Sequence, residues 1–269
     1  MEAFRRLSAP CLRAVADAVI TSRTSHLAEI VEGTAVEPVA RDLARLADAG
    51  VRPAIVGEIL RALASERERS QSIADSLELV WSGEQAVAGA RHTSVVIQQL
   101  FEQAQRSVLI ASYALAKGDA ASRLFGRLAE RMDRDPALEV RVFANVERSY
   151  SDARSNDEIV HAFAAELRAQ IWPGKRMPRV FYDPRALELG PKRACMHAKC
   201  VVIDESAAFL TSANFTEAAQ ERNIEVGLLS HDRRVATALT REFDEMIQAG
   251  RLRLLREAFR LGGPQRPLE

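Results

Sequence analysis

Up to about residue 77 the apolar positions recur at helical spacing, and no run alternates as a strand would. Val39, Leu43, Leu46 and Ala47 fall on one face of a helix over residues 38–49. Gly50 then breaks it, and Pro53 opens a second helix that carries Ile55, Val56, Ile59, Leu60 and Leu63. A charged stretch over 65–70 leads out of this region. Helix, short turn, helix is the outline of a DNA-reading helix-turn-helix. It is equally the outline of any small bundle, and the second helix offers few side chains that read bases.

From residue 78 the pattern changes to short apolar runs alternating with amphipathic stretches, the signature of an α/β domain. Strands are predicted at 78–81, 107–114, 139–146, 179–182, 197–203, 207–210 and 224–229. Helices are predicted at 93–105, 120–132, 157–170, 215–220 and 233–249. Loops rich in glycine or proline cover 172–178 and 182–193, and no internal repeat is evident. The expected layout is a small all-α domain over 1–77 followed by an α/β domain over 78–269.

Composition narrows the function classes. The formal net charge is zero, so no whole-molecule field attracts nucleic acid or anionic lipid, and a polyanion site has to be a local basic patch. Three cysteines, an odd number, do not make a disulfide framework and point to a reducing, cytoplasmic setting. No apolar run reaches the roughly 18 residues of a membrane span. Arg5 and Arg6 precede an apolar region as in a signal peptide, but Arg13 and Asp17 interrupt it, and an amphipathic helix is expected instead.

The chemistry concentrates in His197-Ala-Lys199-Cys-Val-Val-Ile-Asp204, Thr211-Ser212-Ala-Asn214 and Asn223-Ile-Glu225. On a strand, His197 and Lys199 share a face, which sets an imidazole beside an ammonium. Ser212 and Asn214 lie where the next strand turns into a helix at Phe215, able to donate hydrogen bonds to an anion in front of the helix N-terminus. Glu225 is a carboxylate on a strand and needs a partner; the imidazole N–H is the expected one, and that bond would fix the histidine tautomer. Only four of the 37 Lys and Arg residues are lysines, and only five residues are histidines, so a lysine two places from a histidine invites a chemical reading. A bare H-x-K would be no more than an edge-strand histidine with a solvated lysine; the further residues at fixed spacing argue for a site.

These residues resemble the HKD signature of the phospholipase D superfamily, H-x-K-x4-D-x6-G-S-x-N, and the resemblance extends over residues 81–249. Four residues separate Lys199 from Asp204 and six separate Asp204 from Thr211, which stands where the signature has glycine. The resemblance implies a phospholipase D-like mixed sheet flanked by helices. It also implies a metal-independent phosphodiesterase without cofactor, in which His197 attacks phosphorus and a second histidine protonates the leaving oxygen. Lys199 and Asn214, assisted by Ser212, would hold the phosphoryl oxygens, Glu225 would orient His197, and Asp204 would support the loop. The chain carries a single such motif, because His26, His92, His161 and His231 lack a lysine two places on. A homodimer with the active site on its two-fold axis would supply the second histidine; His92 or His161 is the internal alternative.

Between Gly174 and Lys199 the cations Lys175, Arg176, Arg179, Arg185, Lys192, Arg193 and Lys199 outnumber Asp183 and Glu188. That segment suits a nucleic-acid backbone, with Lys175, Arg176 and Arg193 as expected substrate contacts, although a solvated loop has the same composition. The leading expectation is a nuclease acting on DNA or RNA. The rivals are a lipid or other small phosphodiester hydrolase and a non-catalytic nucleic-acid-binding subunit of a defence complex. An amphipathic surface helix expected of a lipid enzyme is not evident, so no membrane partner is expected. More narrowly, the helical preface with Leu79-Val-Trp-Ser-Gly83 and Arg91-His-Thr93 is similar to the phospholipase D-like component of DISARM anti-phage systems, which implies other defence-system proteins as partners.

Overall fold

The computed structural model describes residues 2–31, 33–83, 90–190 and 193–255. Lys192, one of the cations of the basic segment, lies outside the described residues. The chain divides into two compact units, Met1–Ser76 and Leu77–Glu269.

The first unit is helical: α1 (Ala9–Ile20), α2 (Leu27–Ile30), α3 (Val36–Asp48) and α4 (Pro53–Asp75), with short 3-10 turns between them. Ser8 caps α1 by accepting from the Cys11 N–H, and Pro53 starts α4 at a position whose N–H has no helical partner to lose. Gly50, at φ +73°, ends the turn after α3 in a left-handed conformation that glycine adopts without cost. Leu12, Val15, Ala16, Val39, Val56 and Leu60 form the core of this unit. α1 lies against α4 closely enough that a Cβ at Gly57 would stand 2.4 Å from the Ile20 side chain. The apolar run at the start of α4 splits between two faces: Val56 and Leu60 are buried, while Ile55, Ile59 and Leu63 remain exposed.

The second unit is an eight-stranded mixed sheet flanked by helices. Its elements are β1 (Leu77–Ser82), α5 (Thr93–Gln103), β2 (Ser107–Ser112), α6 (Gly118–Arg134), β3 (Glu139–Ala144), α7 (Asn156–Glu166), β4 (Arg179–Tyr182), β5 (Cys200–Ile203), β6 (Ala207–Thr211), α8 (Glu217–Glu221), β7 (Glu225–Ser230), α9 (Arg233–Gln248) and β8 (Arg253–Leu254). The strand order is β1-β7-β6-β5-β2-β3-β4-β8; β2, β3 and β4 are mutually parallel and every other pairing is antiparallel. One face carries a core of Val80, Ile97, Phe101, Ile110, Phe125 and Phe209, contributed by the sheet and by α5 and α6. The other carries Leu109, Phe143, Phe181, Val202 and Phe243, where α9 packs. α9 leaves the β1 end of that face bare: Leu79, Leu228 and Leu210 stand in register across β1, β7 and β6, and all three are exposed, Leu79 by 54%.

Two differences from the predicted elements bear on the site. β5 begins at Cys200, so His197 and Lys199 precede the strand on an extended segment. That segment is held at both ends, the Lys199 carbonyl accepting from the Thr211 N–H at 3.1 Å and the Met196 N–H donating to the Asn145 side chain at 3.0 Å. The helix expected from Phe215 starts at Glu217 with Thr216 as its N-cap, and it is a single short turn.

Candidate active site

The His197 segment approaches the sheet at the ends of β2 and β3, where the parallel strands finish and the chain turns away. Tyr113 follows β2, and Asn145 and Glu147 follow β3. The carboxyl end of parallel strands is where α/β sheets gather ligand-binding side chains. The Tyr113 ring lies 5.3 Å from the His197 ring, and Lys199 Nζ stands 5.8 Å from the same Tyr113 ring. The two motif side chains therefore share one aromatic neighbour, although neither belongs to a strand. Lys199 Nζ also donates to the His197 carbonyl at 2.8 Å, which folds the lysine back over the segment. Burial holds the Lys199 ammonium below its ordinary value, and the nearby Glu225 carboxylate only partly restores it.

Glu225 does not bind the imidazole. Its carboxylate accepts from the Ser212 hydroxyl and from the Asn223 side-chain amide at 3.1 Å, while the His197 ring makes no hydrogen bond among the described residues. The reason is local. Ser212 and Glu225 face each other where β6 ends and β7 begins, and Ser212 Oγ also accepts from the Val226 N–H at 3.1 Å. Ser212 thus fixes a carboxylate beside the lysine rather than presenting a free hydroxyl. Asn214 comes next, between Ser212 and Phe215, whose N–H donates to Ser112 Oγ beside Tyr113 at 3.1 Å. The Asn214 side-chain oxygen is buried without a hydrogen-bond partner among the described residues. A buried amide atom left unsatisfied calls for an explanation, and the amide carries both an acceptor oxygen and a donor NH2.

Asp204 sits at the other end of β5, away from the imidazole. Its carboxylate accepts from the backbone N–H groups of Gln105, Arg106 and Ser107 at 2.8, 2.7 and 2.8 Å. Burial alone would raise this carboxyl, but the three amide donors outweigh it and hold the group below its ordinary value. The motif aspartate is thus a tie between the β5–β6 turn and the start of β2.

The basic segment is not one surface. Lys175 and Arg176 donate through their backbone amides to Asp133, and the Arg176 guanidinium caps the carbonyls of Asp135 and Leu138. Those groups lie at the start of β3, whereas Asn145 lies at its end, a strand length of roughly 20 Å away. Lys175 and Arg176 therefore stand apart from the His197 cluster, held by structural bonds. Arg185 pairs with Asp183. Arg193 alone of the three expected contacts stays near the site, four residues before His197. Its guanidinium donates to the carbonyls of Gly190 and Arg148 and lies 4.6 Å from the Tyr150 ring. Tyr150 is 88% exposed.

Sequence reasoning missed Tyr113, Asn145, Glu147 and Tyr150. The available signal was their position at or just beyond the ends of the strands predicted at 107–114 and 139–146. The two histidines considered as internal alternatives are engaged locally, His92 with the Ser94 hydroxyl and His161 with the Asp157 carbonyl. Among the described residues no group of three or more His, Cys, Asp or Glu side chains is arranged to hold a metal ion, and no helix is long and apolar enough to cross a membrane.

Comparison with known proteins adds a family. The family described as "Cardiolipin synthase, PLD-like domain" matches residues 97–247, more than half of the chain. No curated protein matches in sequence. Among solved structures, the chain is similar to the phospholipase D family member Nuc from Salmonella typhimurium, with 15% identity, a TM-score of 0.43, and coverage of 68% of this chain and 99% of that one. NucT from Helicobacter pylori shares 20% identity over 64% of this chain and 96% of that chain, with a TM-score of 0.41. Phosphatidylserine synthase from Haemophilus influenzae Rd KW20 shares 12% identity over 77% of this chain and 49% of that chain, with a TM-score of 0.48.

Proposed function

The chain belongs to the phospholipase D-like family, and from that membership we propose that it is a phosphodiesterase whose nucleophile is His197 and whose substrate is nucleic acid. The observation that carries the chemistry is the meeting of His197 and Lys199 on one Tyr113 ring, with the Ser212–Glu225 pair alongside. An imidazole nitrogen attacks phosphorus as the P–O bond to the leaving group breaks, giving a phosphohistidine; water then attacks the phosphorus and releases His197. Lys199 and Asn214 neutralise charge on the phosphoryl oxygens. No step calls on a metal ion.

The leaving oxygen needs a proton from a second acid. A second copy of the chain would bring its own His197 to the opposite side of the phosphorus, in an isologous dimer. The exposed row Leu79, Leu228 and Leu210 supports this reading, since it crosses β6 and β7, which lead into Ser212 and out of Glu225, and offers apolar area on the same strands.

Nucleic acid is favoured over lipid by Tyr150 and Arg193. An exposed aromatic ring with a guanidinium against it is the pairing on which unpaired bases stack while the cation meets phosphate. A role in anti-phage defence, alongside other defence proteins, belongs to the same proposal and rests on Leu79-Val-Trp-Ser-Gly83 and Arg91-His-Thr93. The test is cleavage of single-stranded and duplex DNA and RNA, compared with headgroup release from anionic vesicles, by wild type and His197→Ala. Nucleotide release abolished by the substitution is the expected result. Headgroup release alone would transfer the reading to lipid.

A further inference from the structure

We infer that Tyr113, anchored by Glu147, is the positioning residue that sets the His197 ring for attack. The inference rests on the phosphoryl-transfer reading of the site and adds residues that lie outside its sequence motif. The His197 ring has no hydrogen bond of its own among the described residues, and His197 lies ahead of β5, whose pairing with β6 reaches back only to the Lys199 carbonyl, which accepts from the Thr211 N–H at 3.1 Å. Its orientation must come from packing, and the packing partner is the Tyr113 ring at 5.3 Å.

Tyr113 is itself fixed at the far end. Its hydroxyl donates to Glu147, 3.1 Å from Oε2 and 3.4 Å from Oε1. Glu147 Oε2 also accepts from the Asn145 side-chain amide at 2.9 Å. That bond decides which way the Asn145 amide points, and it turns the carbonyl oxygen toward the Met196 N–H, which donates to it at 3.0 Å. The contacts close a ring: Tyr113 to Glu147, Glu147 to Asn145, Asn145 to Met196, and His197 back to Tyr113. Two members act on the same histidine, one on the backbone just before it and one on its ring. Glu147 joins them, so one carboxylate from the end of β3 sets both. The Glu147 charge, and burial after it, raises the Tyr113 hydroxyl above its ordinary value, so it stays a donor throughout any neutral assay.

In-line attack tolerates little displacement of the nucleophile; a shift of about 1 Å costs on the order of a hundredfold in rate. Loosening the ring should therefore lower kcat while leaving substrate binding intact. The experiment measures kcat and KM for bis(p-nitrophenyl) phosphate, a phosphodiester without nucleobases, with thermal melting as the fold check. Tyr113→Leu and Glu147→Ala are expected to lower kcat by about 10-fold to 100-fold with KM within about twofold of wild type. Glu147→Gln keeps a carbonyl oxygen that can accept from both Tyr113 and Asn145, and it should restore most of the rate. Tyr113→Phe keeps the ring and should fall between wild type and Tyr113→Leu.

Unchanged kcat in Tyr113→Leu or Glu147→Ala overturns the inference. So does a loss confined to KM, or a Glu147→Gln as slow as Glu147→Ala. If the two disruptive variants do not fold, Tyr113→Phe and Glu147→Gln decide it: a Glu147→Gln at least as impaired as Tyr113→Phe counts against. Failure of the underlying reading looks different, because wild type and His197→Ala would then turn the phosphodiester over equally.

Discussion

Lys199 carries the clearest consequence at the scale of single residues. An ammonium held below its ordinary value by burial loses its proton as pH rises, and does so before a free lysine at about 10.4. If it neutralises phosphoryl charge, kcat/KM should fall on an alkaline limb below that pH. Lys199→Arg should remove this limb, because guanidinium does not titrate there, yet leave a slower enzyme, since a planar fork replaces a point charge. A pH–rate profile of both proteins checks the pair of outcomes. The motif residues were legible because their spacing is local to the chain, from His197 to Asn214. The partner of Glu225 was not, because the choice between Ser212 and His197 depends on how the end of β6 meets the start of β7. Tyr113 and Glu147 were hidden for a related reason: they enter from other strands, 84 and 50 residues before His197.

Among elements, the β5–β6 turn is the most exacting. Asp204 and Glu205 both have positive φ, +51° and +52°, and the Ser206 N–H closes on the Ile203 carbonyl at 2.8 Å, the pattern of a type I′ hairpin turn. Aspartate tolerates this conformation, and here its carboxylate also ties down the start of β2. Asp204→Ala should cost about 1–3 kcal/mol, because three backbone donors lose their acceptor at once. The Asp204 carboxyl is held below its ordinary value, so its contribution is complete above the unfolded pKa and is lost as pH falls through the lower folded value. Denaturant melts of both proteins, at neutral pH and at acid pH, should therefore converge in acid. Glutamate has no such compensation at its position, and Glu205→Gly should add about 1 kcal/mol by relieving the left-handed backbone. The strands were readable from their apolar runs. The late start of β5 was not, since Met196 to Lys199 has the composition of a strand and is diverted by Asn145, a residue 51 positions away.

At the scale of the molecule, the single His–Lys motif makes assembly measurable. Wild type mixed with His197→Ala and allowed to exchange subunits should lose activity faster than the wild-type fraction falls, since a mixed pair holds one histidine. A linear fall with exchange confirmed would show that each chain works alone. Activity should also survive EDTA, and loss restored by magnesium would overturn the histidine route. The mixed sheet flanked by helices was legible from alternating strands and helices, while its strand order was not: nothing local says that β1 sits beside β7. That pairing has a consequence for how the protein comes into being. Among the described strands of the sheet β1 is made first, yet it lies at the edge and its strand neighbour, β7, is made nearly 150 residues later. Until then Leu77 and Leu79 have nothing to pair with, and closing so long a loop is slow compared with forming the β5–β6–β7 meander. This edge of the sheet is thus begun early and finished late, and the nascent chain carries an apolar strand without its strand partner until β7 is made.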